Sequence, residues 1–284
     1  MINIAFVGNP NVGKTALINK ISNASLKMGN WPGVTIEKKE VFFKVGNEDV
    51  KLIDLPGIYN LSIGTPEERI SRNFILEEDV DVIINVVDST SLERNLYLTA
   101  LLKEMGKPMV MALNFEDEFK KLDYKLNLET LEKQLGMKTI FTSGRNGAGI
   151  DELMKEAVEA FKRNQTQKQI SYKLSFDNDI EKEIDSVKEK LSKLENKEIL
   201  KKYSLDWLAI KSLENDTNLF ANLKTKYGVD ISDLAKEERE NLKKRYGIDS
   251  ADVISQARYA TVKGITSMNL KRSSKNKFAL TDKI

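Results

Sequence analysis

An α/β fold, with a mostly parallel mixed sheet covered by helices and a small all-α helical bundle after it, is what this 284-residue sequence predicts. Two observations carry the prediction. Short β-branched runs alternate with helical patterns to about residue 163, and the strand signal then stops. A third observation adds to them: a glycine-rich loop lies at the first strand-to-helix junction, where open α/β sheets gather their ligands. In order, Ile4–Val7, Val50–Asp54, Val82–Val87, Met109–Leu113 and Thr139–Phe141 are apolar on both faces, as strands buried between helix layers are. Val41–Val45 and Val50–Ile53 flank Gly46-Asn47 and read as an antiparallel hairpin at the sheet edge. Thr65-Pro66-Glu67-Glu68 is a capping box with proline at its first helical position, so residues 58–64 form a loop feeding a helix.

After Phe161 the composition turns to Lys, Gln, Asn and Ser over Lys162–Ser171, a linker or boundary. Ile180, Ile184, Val187, Leu191 and Leu194 then recur at helical spacing, with further helices around Trp207, Phe220, Leu234–Tyr246 and Ala251–Ala260. Such a stripe reads as plain core packing. The expected domains are residues 1–165, residues 171–262 and a polar, basic connector over 263–284.

Lys plus Arg number 45 against 43 Asp plus Glu, a net charge of +2, which argues against a nucleic-acid partner. With no Cys and no His, disulfides, thiolate metal sites and imidazole catalysis drop out. Chemistry must use carboxylates, hydroxyls, amides, backbone groups, Lys or Arg. No basic leader precedes Ile2, and no apolar run reaches the ~18 residues of a membrane span, so the chain as written is expected to be soluble and intracellular.

Gly8-Asn9-Pro10-Asn11-Val12-Gly13-Lys14-Thr15, followed by Ala16, fits G-x-x-x-x-G-K-[ST] between a strand and a helix. Gly8 and Gly13 let the backbone curl so that its N–H groups face phosphates, Lys14 adds a point charge, and the Thr15 hydroxyl suits Mg²⁺. The plainer reading, a glycine turn joining two elements, loses ground once the later motifs are counted. Strand Val50–Asp54 continues into Leu55-Pro56-Gly57, which puts a carboxylate where a Mg²⁺-bound water sits and a side-chain-free N–H where a γ-phosphate would be sensed. Asn30-Trp31-Pro32-Gly33-Val34-Thr35 offers Thr35 as a second hydroxyl for Mg²⁺, though a loop threonine alone is uninformative. Asn114-Phe115-Glu116-Asp117 ends another strand. A carboxylate there accepts both the N1–H and the 2-amino group of guanine, a donor pair that adenine lacks. Thr142-Ser143-Gly144 ends the next strand, with a backbone able to approach the base oxygen.

These five segments resemble the TRAFAC-class P-loop GTPases over roughly the first 160 residues. More narrowly, Gly8–Asn11, Asn30–Glu37, Asp54–Tyr59 and Pro66–Glu68 resemble the cytoplasmic portion of the ferrous iron transport protein B family. The resemblance implies GTP and GDP as ligands, Mg²⁺ held by Thr15, Thr35 and, through water, Asp54, and catalysis by Lys14, Thr35, Gly57 and Asn11. It also implies a K⁺ at Asn11, where a turn-forming asparagine is the competing reading. Ile58 stands where Ras-like proteins carry a water-orienting glutamine, so slow intrinsic turnover is expected. Arg69, Arg72 and Arg94 read as surface charges rather than catalytic arginines. By the same resemblance the chain is a piece of a longer protein at the cytoplasmic face of the membrane, regulating or driving iron uptake by a membrane-embedded permease domain. Self-association is left open. The alternative, a soluble Era- or TrmE-like GTPase acting on ribosome or tRNA, calls for a basic surface or G-x-x-G loop that residues 165–284 do not show.

Overall fold

The computed structural model describes residues 1–21, 25–61, 64–166 and 174–271. Among these, one compact unit comprises residues from 1–99, 108–166 and 263–271, and a second comprises 100–107 and 174–262.

The first unit opens with β1 (Ile2–Gly8), α1 (Lys14–Ile21), β2 (Ser25–Asn30), β3 (Glu37–Val45) and β4 (Glu48–Asp54). Then come α2 (Pro66–Glu77), β5 (Val82–Asp88), α3 (Leu92–Glu104), β6 (Met109–Asn114), α4 (Glu116–Lys121), β7 (Lys125–Leu126), α5 (Leu128–Leu135), β8 (Thr139–Phe141) and α6 (Ile150–Thr166). The last five residues of α3 belong to the second unit. The main sheet runs β2-β3-β4-β1-β5-β6-β8, with β2-β3 and β3-β4 antiparallel and the rest parallel. On one face Ile4, Phe6, Leu52, Ile84 and Val110 are fully buried with Leu17 and Ile18 of α1 and Leu153 and Ala157 of α6. On the other, Ala5, Val7, Ile83, Val87 and Met111 are equally closed to solvent. Both faces are dry, so the parallel strands lack polar alternation.

Register then sets the rim. Phe6 pairs Asp54, Gly8 pairs Val86 and Asp88 pairs Asn114, so the phosphate loop, Asp54 and Asn114 leave the sheet at the carboxyl ends of adjacent strands.

Four expectations need correction. The β3-β4 hairpin is not the sheet edge, because β2 pairs with β3 outside it. Ser-Leu-Lys-Met-Gly-Asn holds no β-branched residue, and its pairing is imposed by the neighbour. The connector over 263–284 is helix at its start: α12 (Ser250–Asn269) runs through it, and β9 (Leu270–Lys271) pairs with β7. Its stripe is Ile265, Thr266 and Asn269, mostly polar side chains that carry little hydropathy signal despite being buried; residues 272–284 lie outside the described set. Residues 100–107, assigned to the first domain, group with the second unit, where Glu104 is bound by Arg258 and Ser204. Finally, the expected linker starts as helix, since α6 continues to Thr166, and residues 167–173 are outside the described set.

The second unit is helical: α7 (Asn178–Ser192), α8 (Glu198–Lys202), α9 (Leu205–Leu213), α10 (Thr217–Tyr227), α11 (Lys236–Tyr246) and the first part of α12. Asp177, Ser204 and Asp216 cap helix starts through side-chain oxygens, and Gly228 and Gly247 end helices at positive φ. Ile180, Ile184, Val187 and Leu191 form the buried stripe that periodicity foretold, and Trp207 stacks on Tyr203 at 5.5 Å.

Candidate nucleotide-binding site

The phosphate loop permits only glycine at two points. A Cβ on Gly8 would collide with the Val86 carbonyl oxygen, and one on Gly13, at φ +83°, with the Asn114 amide. Asn11 also takes positive φ, 64°, and is exposed. Lys14 opens α1 beneath the loop. Its Nζ lies 3.3 Å from where a Gly57 Cβ would stand, and Pro10 Cα lies 3.0 Å from that point, so Gly57 is packed against the phosphate loop. Leu55 N–H donates to Phe6 O at 3.0 Å and Ile58 N–H to Gly8 O at 3.2 Å, fastening the Asp54–Gly57 segment to β1.

Asp54 is half-buried, and its Oδ1, closed to solvent, has no hydrogen-bond partner among the described residues. Burial pushes its pKa up to about 6, against the opposing pull of Lys14 and Lys39. Burial likewise lowers Lys14, with Asp54 partly restoring it. A buried carboxylate oxygen left over beside an ammonium suits a cation and a phosphate chain arriving together. Mg²⁺ fits these residues: Asp54 offers the unused oxygen and Thr15 an exposed hydroxyl. No cluster of three His, Cys, Asp or Glu occurs among the described residues. Thr35 is not brought to this group. It is exposed in the loop between β2 and β3, and its side chain makes no hydrogen bond among the described residues.

At the base end, Asn114 joins three segments. Its Nδ2 donates to Val12 O at 2.9 Å, while its Oδ1 accepts from Gly144 N at 3.1 Å and Thr142 Oγ1 at 3.4 Å. Gly144 N–H, expected to face a base oxygen, is thus already engaged and reaches a base only by sharing or leaving that bond. Asp117 Oδ1 accepts from Ser143 Oγ at 3.2 Å, and Arg145 lies 3.7 Å from its other oxygen. Phe115, at φ 65°, places its ring 3.2 Å from a Gly13 Cβ position, so it packs on the phosphate loop.

Sequence reasoning missed Ser89, whose hydroxyl donates to Asn114 O at 2.6 Å, and named Thr142 with Ser143-Gly144 without foreseeing its bond to Asn114; a hydroxyl residue next to a strand end was the only signal. It also misjudged Arg72, which is buried and donates to Leu61 O at 3.4 Å. Arg94 lies over the Tyr59 ring at 4.9 Å.

A Walker-type loop, an Asp at a strand end with an unpartnered oxygen beside the loop's lysine, and an Asn-x-x-Asp motif bonded back to that loop define a TRAFAC-class guanine-nucleotide P-loop domain. Residues 2–157 match the family model described as ferrous iron transport protein B, and residues 176–271 match that of the FeoB cytosolic helical domain. The chain belongs to the ferrous iron transport protein B family. A Fe(2+) transport protein A/FeoB fusion protein of Porphyromonas gingivalis is 37% identical over all of this chain and 34% of its own length. The chain therefore spans about a third of that relative. Among solved structures, a GDP-bound mutant of the S. thermophilus FeoB G-domain superposes with TM-score 0.83 at 34% identity, covering 95% of this chain and all of that one. The apo cytosolic domain of T. maritima FeoB gives 0.78 at 30% identity, covering 95% and 100%. The match over the helical unit is to the FeoB cytosolic helical domain and not to an Era- or TrmE-like second domain. Among the described residues no helix is long and apolar enough to cross a membrane.

Proposed function

We propose that this chain binds GTP, hydrolyses it slowly to GDP and phosphate, and by that cycle regulates or drives ferrous iron uptake by a membrane domain of the same polypeptide. The observation that carries the nucleotide reading is Asn114, whose amide ties the phosphate loop to the guanine-reading segments. Guanine displaces Ser143 and Arg145 from Asp117 and presents two donors to its carboxylate. Loop N–H groups and Lys14 hold the β- and γ-phosphates and take up charge as the terminal P–O bond breaks. Thr15, Thr35 and Asp54 would hold Mg²⁺, which supplies further charge neutralisation when bound. Gly57 directs its N–H at the γ-phosphate, and Thr35 closes over it. Ile58 is 2% exposed and aliphatic, so no side chain at that position orients the attacking water. Asn11 then supports turnover through K⁺; its positive φ serves a tight loop equally well.

Steady-state GTP turnover in K⁺ and Na⁺ buffers of equal ionic strength tests both levels. Faster turnover in K⁺, lost in Asn11→Ala, supports cation activation. Equal slow rates remove the K⁺ role and leave the GTPase standing, and no turnover in either buffer removes the GTPase. Because relatives carry the printed name Fe(2+) transporter FeoB, the transport reading is tested in the full-length protein. Lys14→Ala should abolish Fe²⁺ entry into cells, and undiminished entry would sink the coupling.

A further inference from the structure

Trp31 is buried in a loop whose Pro32, Gly33 and Thr35 are exposed; only 5% of its surface is open. Its ring stands edge-on to Phe74 of α2, centroids 5.2 Å apart at 79°. Lys38 of β3 lies over both rings, 4.9 Å from the indole centroid and 5.8 Å from the phenyl. Two backbone bonds knit the loop around it, Trp31 N–H to Ile36 O at 2.9 Å and Val34 N–H to Trp31 O at 3.3 Å. A cavity of about 520 Å³ borders the ring, lined also by Val34, Ile53, Ile70 and Phe74. The indole Nε1–H is buried without an acceptor among the described residues. Aromatic and cation–π contacts hold the ring here, while the missing hydrogen bond and the space beside it make this position easy to leave.

We propose that Trp31 is a positioning residue that latches the Thr35 loop to α2 while no γ-phosphate is present, and that it must let go for Thr35 to engage the nucleotide. The proposal rests on the GTPase reading above. Phe74 lies on the helix entered from the segment after Gly57, so one aromatic pair connects both phosphate-sensing segments. The indole touches no reacting atom; it acts through Thr35.

Trp31→Phe retains an edge-on ring, whereas Trp31→Ala deletes it. Subtracting the emission of Trp31→Phe from that of the unmodified protein isolates Trp31 from Trp207, the second tryptophan. A non-hydrolysable GTP analogue with Mg²⁺ should shift that difference emission to the red, and GDP should not. Trp31→Ala should raise kcat roughly threefold to tenfold, the scale of one lost aromatic pair, with GDP affinity unchanged and Trp31→Phe close to the unmodified protein. Identical emission with the two nucleotides overturns the latch. So does a kcat in Trp31→Ala that is unchanged or reduced. Absence of turnover in the unmodified protein defeats the GTPase reading itself, while normal turnover with the variants indistinguishable defeats the latch alone.

Discussion

In the helical unit Arg258 donates to both oxygens of Glu104 at 2.7 and 3.0 Å and to Glu214 at 2.9 Å, and Lys211 closes the group on Glu214 at 2.5 Å. Burial alone would raise the Glu214 pKa, but Lys211 and Arg258 outweigh it and hold the group below the usual carboxylate range, whereas the deeper Glu104 is still raised by burial although Arg258 opposes the shift. In the nucleotide unit Lys14 and Asp54 are half-buried near each other, yet Asp54 keeps an unpartnered oxygen and a pKa of about 6. Two cations and two anions that answer one another complete an architecture. A buried charge with spare capacity waits for something the chain does not contain.

The largest test of this contrast is Lys14→Ala, which should cut GTP turnover by at least ~10²-fold, the scale of one lost electrostatic stabiliser, while leaving the melting temperature nearly unchanged. Arg258→Ala should do the reverse. Stranding Glu104 costs about 3–5 kcal/mol in urea unfolding, with turnover per folded molecule retained. A smaller effect is expected for Asp54→Asn without nucleotide. Because the folded pKa lies above the usual carboxylate value, Asp54 costs nothing below about pH 4. The cost grows as pH rises toward 6 and is full above it. The variant should therefore be more stable than the unmodified protein by about 1–2 kcal/mol at pH 8, allowing for the amide that remains buried, and no more stable at pH 4. Equal stability at both pH values would mean that Asp54 is not strained. Smallest of all, Arg145→Ala removes a 3.7 Å pair whose cation is largely exposed, and should change unfolding free energy by less than about 1 kcal/mol.

The parallel strands and the glycine-bearing segments were legible because their constraints are local: a strand dry on both faces lacks polar residues, and a phosphate loop needs glycine at fixed intervals. The capping box at Thr65 was equally local, and its hydroxyl accepts from Glu68 N at 3.2 Å. What escaped depends on distant residues. Gly13 is pinned by Asn114 and Phe115, about a hundred positions away, and nothing near Gly13 announces it. β2 is a strand because β3 pairs with it. Residues 100–107 continue the pattern of α3, and Arg258 and Ser204, 154 and 100 positions from Glu104, draw them into the other unit. Trp31 was read only as one residue of the loop that offers Thr35, because its partner Phe74 lies on another element.

The loop bearing Thr35 is also the closed end of a hairpin whose first rung is Asn30 opposite Glu37, followed by Gly29 with Lys38 and Met28 with Lys39. Opening these rungs in order would lengthen the loop that carries Thr35 one pair at a time. Gly29 has nothing within 4 Å of a would-be side chain, so the second rung grips least. The third carries Lys39, which sits opposite Asp54 and pulls its pKa down. Loosening that third rung would therefore alter the charge balance at Asp54, and amide exchange along Asn30, Gly29 and Met28 would read how far the pairing opens.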